Sequence, residues 1–114
     1  MSNSVKRPWG YYIVLVDDLD LKIKKIVVHQ GHRLSLQRHR FRDEHWYITS
    51  GRGIITRDHN IHELSCGESI DILADEKHRI ANNSYQDLVF IEIQTGDYFG
   101  EDDIERIEDD YGRE

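Results

Sequence analysis

Three side chains in the stretch GHRLSLQRHRFRDEHWYITSG, residues 31–51, are of types that hold divalent metals: Gln37, His39 and Glu44. Alternate residues of a strand point to one side, so Gln37-x-His39 presents an amide and an imidazole on a shared face. A four-residue gap, Arg40–Asp43, can turn the chain. Glu44 then falls on the face shared by Trp46 and Ile48, where an alternating pattern restarts. One amide oxygen, one imidazole and one carboxylate converging from two paired strands supply most of a mixed N/O metal site. A fourth ligand has to come from a distant part of the chain. Arg33, Arg38, Arg40 and Arg42 crowd the same stretch. Beside a metal, such a cluster suits a small anion such as a phosphate. It suits equally a solvated edge, or a surface for the acidic tail.

The elements that would position these groups are short strands. Pro8 in RPWG sets an extended entry and biases Arg7 away from helix. Aromatic and β-branched content predicts strands over 11–16 and 21–28, separated by the turn Asp17–Asp20. Further strands are expected over 34–39, 54–57, 61–64, 69–73, 78–81 and 87–95, with turns at Asp58-His59-Asn60, Cys66-Gly67 and Asn82-Asn83-Ser84. Eight or so short strands at this spacing, with no long amphipathic helix before residue 96, predict an all-β sandwich or barrel. The tail from Gly96 onward is expected to be irregular or a short helix with Ile104, Ile107 and Tyr111 on one side. Its closing acids, Glu108, Asp109 and Asp110, would oppose the dipole of such a helix.

Composition bounds the function. A length of 114 residues predicts one domain, and 38% hydrophobic with 32% charged residues fits a soluble globular chain. Residues 1–95 carry 13 acidic and 13 basic side chains; residues 96–114 carry nine acids against two arginines, which accounts for the net −7. With no basic surplus, nucleic acid is excluded as an expected partner. The longest apolar runs are four residues, Ile13–Val16 and Leu88–Ile91, so no membrane span is expected. A single cysteine, Cys66, and no apolar leader-like segment fit a cytoplasmic setting.

Written with spacings, the first stretch is Gly31-x5-Gln37-x-His39-x4-Glu44-x6-Gly51, and a later one is Gly67-x5-Leu73-x-Asp75-x2-His78-x3-Asn82. These resemble the two signature motifs of the cupin superfamily, a small jelly-roll β-barrel with a metal at its centre. His78 falls at the family's fourth ligand position. Gln37 stands where the commoner pattern has a histidine, and Leu73 and Asp75 replace a proline and a glycine. A narrower resemblance rests on RPWG, LSLQ-x-His39, Glu44-His45-Trp46, Ile91-Glu92-Ile93-Gln94 and GEDDIERIEDDYGR, in one order over nearly the whole chain. Together these are similar to the cupin domain of the type II mannose-6-phosphate isomerase family, here as a free-standing domain over residues 1–114. Arg40 and Phe41 depart from the family, where relatives often carry histidines.

The resemblance implies a metal-dependent aldose–ketose isomerase acting on a sugar phosphate, mannose 6-phosphate to fructose 6-phosphate foremost. Gln37, His39, Glu44 and His78 would hold one divalent ion, zinc first, with iron, manganese, cobalt or nickel also admitted by the donor set. Such a reaction needs a proton-transfer group. Glu92 shares a strand face with Gln94 and is a candidate; Lys24 and Lys22 are others, and a plain barrel-lining or surface role competes for each. Arg42 and Arg106 are the candidates for the phosphate, with a salt bridge inside the acidic tail competing for Arg106. The alternatives are another metal-dependent cupin enzyme, a dioxygenase or sugar-nucleotide isomerase, and a non-catalytic sugar-binding cupin. Cupin barrels commonly pair, so a homodimer is expected.

The remaining histidines and aromatics are read as scaffold. His45 should face away from Glu44. His29, His32, His59 and His62 lie near turns and should be exposed. Cys66 has no basic partner in view and is not expected to act as a nucleophile. Trp9 and Trp46 are core anchors first, although Trp46 also suits a sugar-stacking role.

Overall fold

The structure is a computed structural model in which residues 3–113 are described. Its strands are β1 (Ser4–Arg7), β2 (Gly10–Asp17), β3 (Leu21–Val28), β4 (Leu36–Arg38), β5 (Arg42–Ser50), β6 (Arg52–Arg57), β7 (Asn60–Ser65), β8 (Ser69–Ile72), β9 (His78–Ala81), β10 (Leu88–Gly96) and β11 (Glu105–Glu108). They form one sheet in the order β1-β2-β3-β10-β5-β8 and a facing sheet in the order β11-β4-β9-β6-β7, with every pairing antiparallel. This is the jelly-roll barrel of a cupin. Among the described residues no helix is long and apolar enough to cross a membrane.

Period-two patterning decides what faces inward. Along β5 the buried positions are Arg42, Glu44, Trp46 and Ile48; along β10 they are Leu88, Phe90, Glu92 and Gln94. Apolar members of this set join Ile26, Val28, Ile55, Ile70, Ile72 and Ile80 in one core. The polar members cluster at one end of the barrel, where burying charge requires partners. In the first sheet Lys24, Glu92 and Trp46 lie in register on β3, β10 and β5. Gln94 and Glu44 lie in the next row. In the second sheet Arg106, Gln37 and His78 form one row across β11, β4 and β9.

Two features differ from the expectation. Residues Ser4–Arg7 form an edge strand on β2, where only an extended entry was expected. Among the described residues the tail forms no α-helix over Ile104–Tyr111: a 3-10 helix at Glu101–Asp103 leads into β11, which pairs with β4. The physical reason is partnering. As a strand, the tail satisfies the open edge of β4, and its acids meet cations of the barrel instead of opposing a helix dipole. Asp110 accepts from Arg33 Nε and Nη2 at 2.6 and 2.8 Å, Glu108 accepts from Arg79 at 2.6 Å, and Glu105 accepts from Arg38. Asp103 takes the backbone N–H groups of Arg40 and Phe41 at 3.2 and 3.1 Å, closing the turn between β4 and β5. The arginine cluster thus divides: Arg33 and Arg38 hold the tail, and Arg42 turns inward.

Candidate metal centre and its cavity

The turn between β4 and β5 and the loop between β8 and β9 bring the predicted ligands together. His39 is the first residue beyond β4, Glu44 lies in β5 of the facing sheet, and His78 opens β9 directly opposite Gln37. His39, Glu44 and His78 are 4%, 3% and 2% exposed. One ligand atom from each of the three lies within 4.8 Å of the others. Donors sharing one ion at about 2.1 Å in tetrahedral geometry stand roughly 3.4 Å apart, so these three close on a bound ion by small side-chain movements. Gln37 lines the same cavity as the other three.

His39, Glu44 and His78 are each held by their neighbours. The His78 ring donates from Nδ1 to the Glu76 carbonyl at 2.9 Å, which turns Nε2 toward Glu44 Oε1, 4.0 Å away. The His39 carbonyl accepts the Asp75 N–H at 2.7 Å. Asp75 has φ of 68°, the left-handed region that favours glycine. Its presence at the motif's glycine position keeps the loop shape, because a short polar side chain tolerates that conformation. Glu44 accepts from Arg42 Nε at 2.8 Å and from Trp46 Nε1 at 2.9 Å. Trp46 also packs edge-on against His78.

Sequence reasoning missed the role of Arg42. Its three guanidinium nitrogens contact Glu44 Oε2, the Phe99 carbonyl at 3.3 Å and His39 Nε2 at 2.9 Å. The signal was available: two residues before Glu44, Arg42 shares its inward face. Ion loading through His39 Nε2 requires Arg42 to release that nitrogen while keeping Glu44. Burial, then repulsion by Arg42 and His78, hold the His39 pKa down at about 3, so the imidazole is neutral and able to ligate near pH 7. Burial pushes the Glu44 carboxyl up, but attraction by Arg42 and His78, with hydrogen bonds from its neighbours, outweighs it and the net direction is down. Glu92 goes the other way: burial and repulsion by Glu44 raise it against the pull of Lys24.

The cavity opens to solvent and holds more than the ligands. Glu92 and Lys24 line it, both buried. Gln94 Nε2 donates to Glu92 at 2.6 Å, and the Lys24 ammonium sits 4.3 Å from the centre of the Tyr12 ring. Lys22 is half-exposed and lies outside the lining. Arg106 faces in, and its tail neighbours Glu105 and Glu108 turn instead to Arg38 and Arg79. Arg7, Ser35 and Arg113 also line the cavity; sequence reasoning did not assign them to it. Arg40 and Phe41 lie outside, with Phe41 against Tyr98. His45 faces away and pairs with Asp71 at 2.6 Å, His29 pairs with Asp87, and His59 is exposed. His32 is bonded to the Tyr111 hydroxyl at 2.6 Å, and His62 is only half-exposed. Cys66 is exposed and donates to the Thr49 carbonyl.

The family described as mannose-6-phosphate isomerase C-terminal matches residues 1–109. The chain belongs to this family. Its curated relatives include the alginate biosynthesis protein AlgA of Pseudomonas aeruginosa, 45% identical over 96% of this chain and 23% of that protein. The xanthan biosynthesis protein XanB of Xanthomonas campestris is 42% identical over the same shares. A mannose-1-phosphate guanylyltransferase of Escherichia coli is 39% identical, again over 96% and 23%. This member of the family therefore spans about a quarter of the length of the curated relatives it matches. Among solved structures, the capsular polysaccharide assembling protein CapF of Staphylococcus aureus superposes with a TM-score of 0.82 at 21% identity, over 95% of this chain and 34% of that one. A double-stranded β-helix protein of Klebsiella pneumoniae gives 0.71 at 16% identity, over 77% of each chain. These likenesses establish the fold.

Proposed function

We propose that this family member is a metal-dependent aldose–ketose isomerase of sugar phosphates, with mannose 6-phosphate and fructose 6-phosphate as the pair interconverted. The observation that carries the reading is the convergence of His39, Glu44 and His78, with Gln37 beside His78, in a cavity that also holds Glu92. These four residues would hold one divalent ion, zinc foremost. Such an ion would polarise the oxygens on C1 and C2. The reaction removes a proton from C2 of the aldose and returns one to C1, while a hydroxyl proton passes from O2 to O1. Glu92 fits the carbon proton transfer. It is buried beside the cavity, fixed by Gln94, and burial with repulsion by Glu44 raises its pKa above that of an ordinary carboxyl. Lys24, in register with Glu92, supplies positive charge near developing oxyanions. Arg42 serves as a positioning residue for Glu44.

Incubating the protein with one divalent metal and mannose 6-phosphate should yield fructose 6-phosphate. Absence of product across zinc, manganese, cobalt, nickel and iron would overturn the assignment. One observation favours a second reading, a metal-free sugar-binding cupin: the Arg42 guanidinium bonds both His39 and Glu44. Under that reading chelation leaves sugar-phosphate binding unchanged, and conversion is absent throughout. A homodimer in the cytoplasm belongs to the proposal, and sedimentation at micromolar concentration tests the pairing.

A further inference from the structure

Two residues that line the cavity each carry a buried polar atom without a hydrogen-bond partner: Ser35 Oγ and Arg106 Nε. Ser35 is 1% exposed. Buried polar groups are rarely left unpaired, because each carries its full desolvation cost. A hydroxyl and a guanidinium facing one cavity are matched by an oxyanion with several acceptor oxygens. The surroundings agree in sign. Arg7 of β1 and Arg113 beyond β11 line the same cavity, so opposite ends of the chain bring arginines to one place. Both are held ready: Arg113 by Asp109 at 2.8 and 3.0 Å, Arg7 by the Tyr12 hydroxyl at 3.3 Å. Of the three carboxylates in the lining, Glu44 is paired with Arg42, Glu101 stands 3.9 Å from Lys24, and Glu92 lies in register with that lysine.

The row Arg106, Gln37, His78 fixes the distance to the metal-ligating residues. Two strand spacings separate the backbones of Arg106 and His78, about 10 Å. We propose that Ser35 and Arg106, flanked by Arg7 and Arg113, form a phosphate-monoester subsite, and that it holds a sugar phosphate with its carbonyl end toward Gln37 and His78. In the metal-free chain the Arg42 nitrogens contact Glu44, His39 and the Phe99 carbonyl, so the anion subsite is built without them. The orientation rests on the isomerase reading; the anion subsite does not.

The test is calorimetric titration of the metal-free full chain with inorganic phosphate, mannose 6-phosphate and mannose at fixed ionic strength. Phosphate and mannose 6-phosphate should bind in one-to-one ratio, and mannose at least tenfold more weakly. Ser35→Ala and Arg106→Gln should each weaken phosphate about tenfold or more, the loss of one charge-assisted hydrogen bond. Ser35→Ala also separates this role from a structural one. Removing an unpaired hydroxyl should leave Tm unchanged or raised while affinity falls. His78→Ala should retain phosphate binding within about twofold. Failure of the parent to bind phosphate, or unchanged affinity in Ser35→Ala and Arg106→Gln, would overturn the subsite; if Arg106→Gln does not fold, Ser35→Ala alone decides. Phosphate binding that depends on Ser35 and Arg106, without any fructose 6-phosphate in the metal-loaded assay, would leave the subsite standing and remove the isomerase reading.

Discussion

Glu44 and Glu92 are two buried carboxyls on adjacent strands whose environments push them in opposite directions. Arg42 lowers the pKa of one, which suits it to ligate; burial and repulsion by Glu44 raise the other, which suits it to exchange protons. Glu92→Gln should therefore retain metal while lowering conversion by about 10²- to 10⁴-fold, with the ionisation of Glu92 lost from the pH–rate profile. Elemental analysis beside the kinetics checks both halves, and full activity in the variant would remove Glu92 from the reaction. At this scale the sequence was legible wherever period two applied. Gln37, Glu44, Glu92 and the outward His45 were all placed by counting alternate residues. Arg42 obeyed the same count, but its charge suggested a ligand-binding surface over a buried position. Ser35 carried no local signal, since nothing in its neighbours shows that its hydroxyl lacks a partner.

Loop conformation governs the ligands at the scale of elements. Asp75 holds φ of 68° and donates its N–H to the His39 carbonyl, so the β8–β9 loop supports both His78 and His39. Asp75→Ala should destabilise the protein by about 1 kcal/mol, because a Cβ without a local polar partner is penalised in that region. Asp75→Gly should be neutral or slightly stabilising. Thermal melts of the two variants read the difference, and equal Tm values would contradict it. Gly96 plays a related part at the start of β5: a Cβ there would lie 2.4 Å from the Phe41 carbonyl oxygen, next to Arg42. The tail shows where local pattern misleads. Ile104, Ile107 and Tyr111 have helical spacing, yet β11 is formed by a non-local partner, β4, that no short window contains. Its register shift at Ile107 keeps Arg106 opposite Gln37 and carries Glu108 toward Arg79.

For the whole molecule, the net −7 concentrated after residue 95 becomes a latch across the barrel. Asp110, Glu108 and Glu105 answer Arg33, Arg79 and Arg38, and Asp109 answers Arg113. Hydrogen bonds from Arg113 lower Asp109 to about 2, and the hydrogen bond from Arg33 lowers Asp110 in the same direction. A carboxyl depressed in the folded state contributes stability fully above its ordinary value near 3.8, and that contribution is lost as pH falls toward about 2. Urea unfolding between pH 5 and 2 should show a steeper loss of stability in the parent than in Asp109→Asn. Equal slopes would remove the Asp109–Arg113 pair from the acid response. The barrel was legible from strand spacing and motif, while the arrival of Arg7 and Arg113 in one cavity was not, because they are far apart in sequence.

Occupancy of the ligand cluster is the centre of the account. The measurement that tests it most directly is conversion of mannose 6-phosphate as zinc is titrated into chelated protein. Conversion should rise linearly to one equivalent per chain, level there, and be absent in Glu44→Gln and His78→Ala at every ratio. Conversion that persists in those variants, or product that fails to appear at any zinc level in the parent, would contradict it.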